Sequence, residues 1–187
     1  MKKFHAHKSN INDREPRLKK YNYGLAIMRL QPMHLGHTQV IGRMINECNH
    51  PILAIGSAQE SRTYGNPFTY EERKKMVLNF PGYNKLTILP INDIFNLGAW
   101  AKYCLDLVEK KVKNKINVYY CGNDQDGALF LGEGRKVAIN DRDTGVYKGI
   151  SASKIRSWIV NGSEEWKTWV PTMNHMIVKR VYGQKNI

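Results

Sequence analysis

The stretch Gly24-Leu25-Ala26-Ile27-Met28-Arg29-Leu30-Gln31-Pro32-Met33-His34-Leu35-Gly36-His37-Thr38 decides the fold. Its first five residues form a short apolar run, and from Thr38 to Cys48 the apolar positions Val40, Ile41, Met44 and Ile45 recur with helical period. That is strand, turn, helix, with the polar chemistry gathered in the turn. A helix N-terminus offers unpaired N–H groups and a positive partial charge, so this turn suits a phosphate. Histidines three apart are ordinarily surface or core decoration, and it is the place at the end of a strand that makes His34 and His37 candidates. There they can donate hydrogen bonds to a transferring phosphoryl group, while Gly36 keeps the backbone bare for close approach. The same pair could ligate zinc only with a third ligand. His5, His7, His50 and His175 are scattered, and neither a His-Glu-x-x-His nor a cysteine pair is present.

Downstream the pattern repeats. Pro51 to Ile55 is an apolar run closed by Gly56, followed by a polar loop from Ser57 to Pro67. A helix opens at Thr69, where Thr69-Tyr70-Glu71-Glu72 has the reciprocal hydroxyl and carboxylate spacing of a capping box. Leu86 to Ile91 reads as a third strand, Ala99 to Val112 as a helix, and Ile116 to Tyr120 as a fourth strand ending at Cys121-Gly122-Asn123. Lys136 to Ile139 reads as a fifth strand, and Ser151 to Val160 as a helix with Ile155, Trp158 and Ile159 on one face. Asn140 to Gly149, rich in Asp, Arg, Thr and Gly, reads as a mobile loop. Short apolar strands alternating with helices call for a parallel sheet covered on both faces, because each parallel pair needs a crossover. The expected fold is a single α/β domain with a doubly wound, Rossmann-like parallel sheet over residues 23–187, preceded by a basic, flexible extension over residues 1–22. Ligands in such sheets bind beyond the carboxyl ends of the strands.

The 187 residues carry a formal net charge of +13, which points to an anionic partner: a polyphosphate substrate, nucleic acid or an anionic membrane surface. Residues 1–20 hold seven cations (Lys2, Lys3, Lys8, Arg14, Arg17, Lys19, Lys20) against Asp13 and Glu15, and a solvated extension accounts for them without a nucleic-acid role. Cys48, Cys104 and Cys121 are odd in number and widely spaced, so they suggest neither a disulfide framework nor a zinc site, and a reducing cytoplasm fits them. No apolar run approaches the roughly 20 residues that cross a bilayer, so no membrane role is expected. No Walker loop is present, and Gly132 and Gly134 lack the spacing of a dinucleotide fingerprint.

His34-Leu35-Gly36-His37 resembles the H-x-G-H signature of the nucleotidyltransferase superfamily, and Ile150-Ser151-Ala152-Ser153-Lys154-Ile155-Arg156 resembles its second signature, I-S-x-[ST]-x-x-R. Within that superfamily, Arg29 to His34, Gly56 to Ser61 and Asn66-Pro67-Phe68-Thr69 are similar to the R-F-Q-P-F-H, G-S-A-Q-x-S and N-P-F-T segments of the archaeal-type nicotinamide-nucleotide adenylyltransferases. The match spans roughly residues 23–170. It implies transfer of the adenylyl group of ATP to nicotinamide mononucleotide (NMN) with Mg²⁺ on the ATP phosphates, no protein metal site, NAD and pyrophosphate as products, and a homo-oligomer. By the match, His34, His37, Arg29, Ser151 and Arg156 are catalytic, and Leu30, Gln31, Met33, Gly36, Gly122, Asn123, Ile150 and Ser153 bind ATP. Ser57, Ala58, Asn66, Phe68, Asp93 and Trp100 then bind NMN, with the indole as a platform for the flat cationic ring.

Three positions depart from the family pattern. Gly65 stands where some members carry arginine, leaving Arg62 as the candidate replacement; Lys154 replaces an acidic or neutral residue; Met33 replaces an aromatic one. Three rival readings fit the same residues. A sibling transferase would take FMN, phosphopantetheine or a sugar or polyol phosphate. A nucleic-acid module would use the basic excess with Tyr21 and Tyr23 beside Lys19 and Lys20. A non-catalytic NAD or ATP sensor would bind without turnover.

Overall fold

The computed structural model describes residues 18–94, 96–140 and 147–183. Most of the basic extension (residues 1–17) and of the loop between Asn140 and Gly149 (residues 141–146) lies outside them. Five parallel strands, β1 (Tyr21–Met28), β2 (Cys48–Ile55), β3 (Thr87–Pro90), β4 (Val118–Cys121) and β5 (Lys136–Ile139), form one sheet in the order β3-β2-β1-β4-β5. The order runs outward from β1 in both directions, so the chain is doubly wound and the reversal falls between β1 and β4. β1 begins at Tyr21, so Tyr21 and Asn22 belong to the sheet and not to the extension.

The helices are α1 (Leu35–Glu47), α2 (Tyr70–Leu78), α3 (Leu97–Val112), α4 (Asp124–Gly132), α5 (Ala152–Val160), α6 (Trp166–Trp169) and α7 (His175–Gly183). Thr69 caps α2 as its sequence asks: Thr69 Oγ1 accepts from Glu72 N–H at 3.2 Å, and Glu72 Oε2 accepts from Thr69 N–H at 2.9 Å. Helix α4 is the element the sequence hides. Asn123 caps it by accepting from Asp126 N–H at 2.8 Å, but Gly127 and Gly132 break the apolar period.

The sheet divides the interior in two. On one side Ala26, Leu53 and Ile55 pack with Val40 and Ile41 of α1, Met76 of α2, Ile155 of α5 and Val178 of α7. On the other, Leu25, Ile52 and Tyr119 pack with Cys104 and Val108 of α3 and Phe130 of α4. Ile52 to Ile55 are all essentially inaccessible, the consequence of a central strand covered on both faces. Close packing reaches the backbone at Gly24, where an added Cβ would lie 2.4 Å from Cys48 Sγ and 3.0 Å from Tyr120 Cε2. Gly24→Ala is therefore expected to cost about 1–3 kcal/mol through overpacking of a rigid sheet. A thermal melt lowered by several degrees checks this; an unchanged melting point would mean that Cys48 and Tyr120 yield freely.

Candidate active site

A cleft of about 550 Å³ opens beyond the carboxyl ends of the strands, at the reversal between β1 and β4. Its phosphate-suited wall starts where β1 ends. Leu30 takes a left-handed backbone (φ 55°), the chain turns, and His34 enters α1 in an extended conformation as its N-cap. His34 N–H donates to His37 Nδ1 at 3.2 Å, and the two rings lie 3.7 Å apart at 31°. Because Nδ1 accepts, the neutral His37 ring carries its proton on Nε2 and is a donor there. Gly36 is required by proximity, since a Cβ there would sit 3.1 Å from His34 Cε1 and Nδ1.

Opposite α1 stands a second helix N-terminus. Ser151 caps α5 by accepting from Lys154 N–H at 3.2 Å, while Ser153 and Arg156 line the cleft one turn on. Arg156 is 7% exposed; its Nη1 donates to the Gln31 carbonyl at 2.8 Å and its Nη2 to Ser153 Oγ at 3.0 Å. Burial pulls its pKa down from the ordinary arginine value. The helix therefore places a cation, already braced by the β1–α1 turn, next to that turn's histidines. Arg29 lines the same wall, and Gly122 and Asp126 bring the start of α4 to the cleft. Ser57, Asp93 and Trp100 line the cleft as well. Trp100 sits in the first turns of α3, half-buried, with its ring edge-on to Phe130 at 5.7 Å and 86°.

Most of the residues singled out in the sequence line this one cleft: His34, His37, Arg29, Ser151, Arg156, Leu30, Gln31, Gly36, Gly122, Ile150, Ser153, Ser57, Asp93 and Trp100. Five do not, each for a packing reason. Met33 is fully buried in the core. Phe68 is too, with its ring edge-on to Tyr182 at 6.0 Å. Asn123 is occupied as the cap of α4, bonding Asp126 N–H and Oδ2. Ala58 ties its N–H to the Ile91 carbonyl, and Asn66 closes a tight turn with Thr63. Gln31 lines the cleft only in part, because its carboxamide pairs with the Phe68 backbone: Nε2 donates to Phe68 O at 3.0 Å and Oε1 accepts from Phe68 N–H at 2.9 Å.

Arg62, the candidate replacement for the arginine missing at Gly65, is not among the residues that line the cleft. Its guanidinium forks onto Glu72 at 2.9 Å from each Nη and also bonds the Pro67 carbonyl, away from the cleft. Burial works to raise the Glu72 carboxyl, but hydrogen bonds from Arg62 and Thr69 hold it below its ordinary range. Lys154 points its ammonium over Trp158 at 5.1 Å, so this departure lies outside the cleft. The sequence did not single out Gln39, Tyr119, Tyr120, Asp126, Asn140 and Tyr147, all of which line the cleft. Tyr119 and Tyr120 could have been inferred from their place at the end of the fourth strand. Asp126 required recognition of α4.

A cytidylyltransferase-like family model matches residues 29–157. The nicotinamide-nucleotide adenylyltransferase of Methanococcus aeolicus is 33% identical over 172 residues, covering 87% of this chain and 91% of that protein. That of Thermococcus kodakarensis is 30% identical over 172 residues, covering 88% and 86%. The fold is similar to a bifunctional NMN adenylyltransferase/ADP ribose pyrophosphatase from Francisella tularensis complexed with AMP and Mn ion, with TM-score 0.67, 21% identity and 87% of this chain covered. The chain spans 51% of that bifunctional protein. The nicotinic acid mononucleotide adenylyltransferase of Plasmodium falciparum, complexed with NaAD, gives TM-score 0.59 at 12% identity, with 85% and 96% of the two chains covered. Among the described residues no helix is long and apolar enough to cross a membrane, and no group of three or more His, Cys, Asp or Glu could hold a metal ion.

Proposed function

The chain belongs to the cytidylyltransferase-like nucleotidyltransferase family and within it to the nicotinamide-nucleotide adenylyltransferases, and from that premise we propose that its cleft joins ATP to nicotinamide mononucleotide, giving NAD and pyrophosphate. The observation that carries this reading is the convergence of two helix N-termini, one bearing His34 and His37 and the other Ser151 and Arg156, on one cleft that Trp100 also lines. Such a cleft can bind a triphosphate beside an aromatic-walled acceptor pocket.

An oxygen of the mononucleotide 5′-phosphate attacks the α-phosphorus of ATP in line; the bond to the bridging oxygen breaks, and pyrophosphate leaves with that electron pair. No covalent enzyme intermediate is needed, so catalysis is positioning plus charge stabilisation. His37 Nε2–H donates to the transferring phosphoryl oxygens, His34 and Arg29 lie against the same group, and Arg156 with the α5 N-terminus holds the leaving phosphates. Trp100 stacks on the pyridine ring while Ser57 and Asp93 face the acceptor. A divalent ion, Mg²⁺ in this reading, would be carried on the ATP phosphates and would supply positive charge against the leaving pyrophosphate. Three widely spaced, buried cysteines fit a reducing cytoplasm. We further assign this chain to a homo-oligomer, with a basic N-terminal extension ahead of the catalytic domain.

The reading is tested by pyrophosphate release from ATP and Mg²⁺ with nicotinamide mononucleotide, its acid analogue, FMN and phosphopantetheine in parallel. Release with a pyridine mononucleotide alone is expected. Release with another acceptor moves the chain to a sibling activity, and none at all overturns the catalytic reading. Trp100→Ala is expected to raise the mononucleotide KM by about tenfold, the worth of one stacking contact, with little change in the ATP KM. An unchanged mononucleotide KM would return Trp100 to the core around Phe130.

A further inference from the structure

Arg73, in the first turns of α2, is among the largest fully buried side chains of the protein, and it does not line the cleft. No salt bridge to it occurs among the described residues. Among the described residues its guanidinium donates to backbone carbonyls: Nε to Thr69 O at 3.2 Å, Nη1 to Arg29 O at 2.9 Å and Gly56 O at 2.7 Å, and Nη2 to Ser57 O at 3.0 Å. Burial of a cation is costly and pulls the Arg73 pKa down, with the Asp93 charge working the other way; satisfying carbonyls that the sheet cannot reach offsets the cost.

The acceptors lie where the sheet comes apart. The last paired residues of β1 and β2 are Met28 and Ile55, and the last ladder-like bond runs from Gly56 N–H to the Met28 carbonyl at 3.0 Å. Beyond it the two chains diverge, one into Leu30 at φ 55° and the other into Ser57 at φ 48°. Arg29 and Ser57, one on each diverging segment, both line the cleft. One planar fork, anchored on α2, thus holds the two segments at a fixed separation just behind the cleft wall.

We propose that Arg73 is a positioning residue for the reaction: its guanidinium sets the splay of the β1 and β2 ends, and with it the placing of Arg29 on the ATP side against Ser57 on the acceptor side. The proposal rests on the reading of the cleft as the site of adenylyl transfer. Arginine is the side chain for this task, because a lysine ammonium is a single point and cannot span carbonyls of both strands as the planar fork does. A displacement of reacting groups by about 1 Å can lower turnover by about 10²-fold, so a small change of splay is felt at the chemistry.

The test compares wild type with R73M, which keeps the stem and loses the fork, and R73K, which keeps the charge. kcat and both KM values are measured by pyrophosphate release well below each melting temperature, and the affinity for ATP is measured separately by calorimetry. In folded R73M kcat/KM is expected to fall by about 10²-fold, and R73K is expected to recover about tenfold of that loss. If both variants melt earlier but keep wild-type constants, Arg73 is only a stabilising residue and the proposal is overturned. It is overturned equally if neither variant folds, since no separable role at the site would then remain. If wild type itself fails to use a pyridine mononucleotide, it is the functional reading that fails, and the ATP affinities still decide for Arg73: values equal to wild type overturn it, and weakened binding in R73M with partial recovery in R73K upholds it.

Discussion

Replacing His37 with alanine is expected to lower turnover by at least ~10²-fold while leaving the protein folded, because one pre-organised donor to a transition state is typically worth that much. The structure supplies the pre-organisation. His37 Nδ1 is occupied in accepting from the His34 N–H, so the ring is fixed both in orientation and in tautomer, with its proton on Nε2. The contact to His34, ring against ring at 3.7 Å, removes further freedom. What is lost in stability is a contact at the helix cap, about 1 kcal/mol. The measurement is kcat for pyrophosphate release beside a thermal melt. A variant that keeps near wild-type turnover would remove this imidazole from the chemistry, and one that fails to melt cooperatively would make the loss uninformative about the reaction.

Arg156→Ala is expected to lower kcat/KM for ATP by about 10²- to 10³-fold, with Arg156→Lys recovering part of it. Two losses combine. The cation beside the histidine turn disappears, and the buried Gln31 carbonyl loses the bond from Nη1, which adds about 1–3 kcal/mol of destabilisation. The second loss propagates, because Gln31 also holds the Phe68 backbone through both atoms of its carboxamide. Kinetics with saturating mononucleotide and varied ATP check this. An unchanged ATP dependence in a less stable variant would assign Arg156 to bracing alone.

The fold was legible because its strands are short apolar runs at even spacing and its helices carry their own punctuation. The fifth strand at Lys136–Ile139 falls where its run of residues lies, and Thr69 and Glu72 cap α2 as their spacing implies. What stayed hidden had weak local signals. Helix α4 carries two glycines, and Tyr21 and Asn22 join β1 only through pairing with β2 at Cys48 and beyond, which no local pattern announces. Of the residues that line the cleft, Arg29, His34, His37, Asp93 and Arg156 were legible in their motifs, whereas Asp126, Tyr119, Tyr120 and Tyr147 were not. Gln31 and Phe68, both in motif segments, also clasp two loops, because the Gln31 carboxamide bonds the Phe68 backbone through both of its atoms. Arg73 drew no attention in the sequence, since nothing in a helical Glu-Arg-Lys-Lys run distinguishes a solvated arginine from one that is fully buried.

The division of the interior by the sheet also bears on how such an enzyme can diverge. The histidine turn and α5 lean on the core that holds Met33, Ile41 and Ile155, whereas Trp100 leans on the opposite one, with Tyr119 and Phe130. Mutations that reshape the pocket for a different acceptor can therefore accumulate on the α3–α4 side, where their packing costs are absorbed locally. The histidine turn and α5 rest on the other face of the sheet, so such repacking leaves the core beneath them in place.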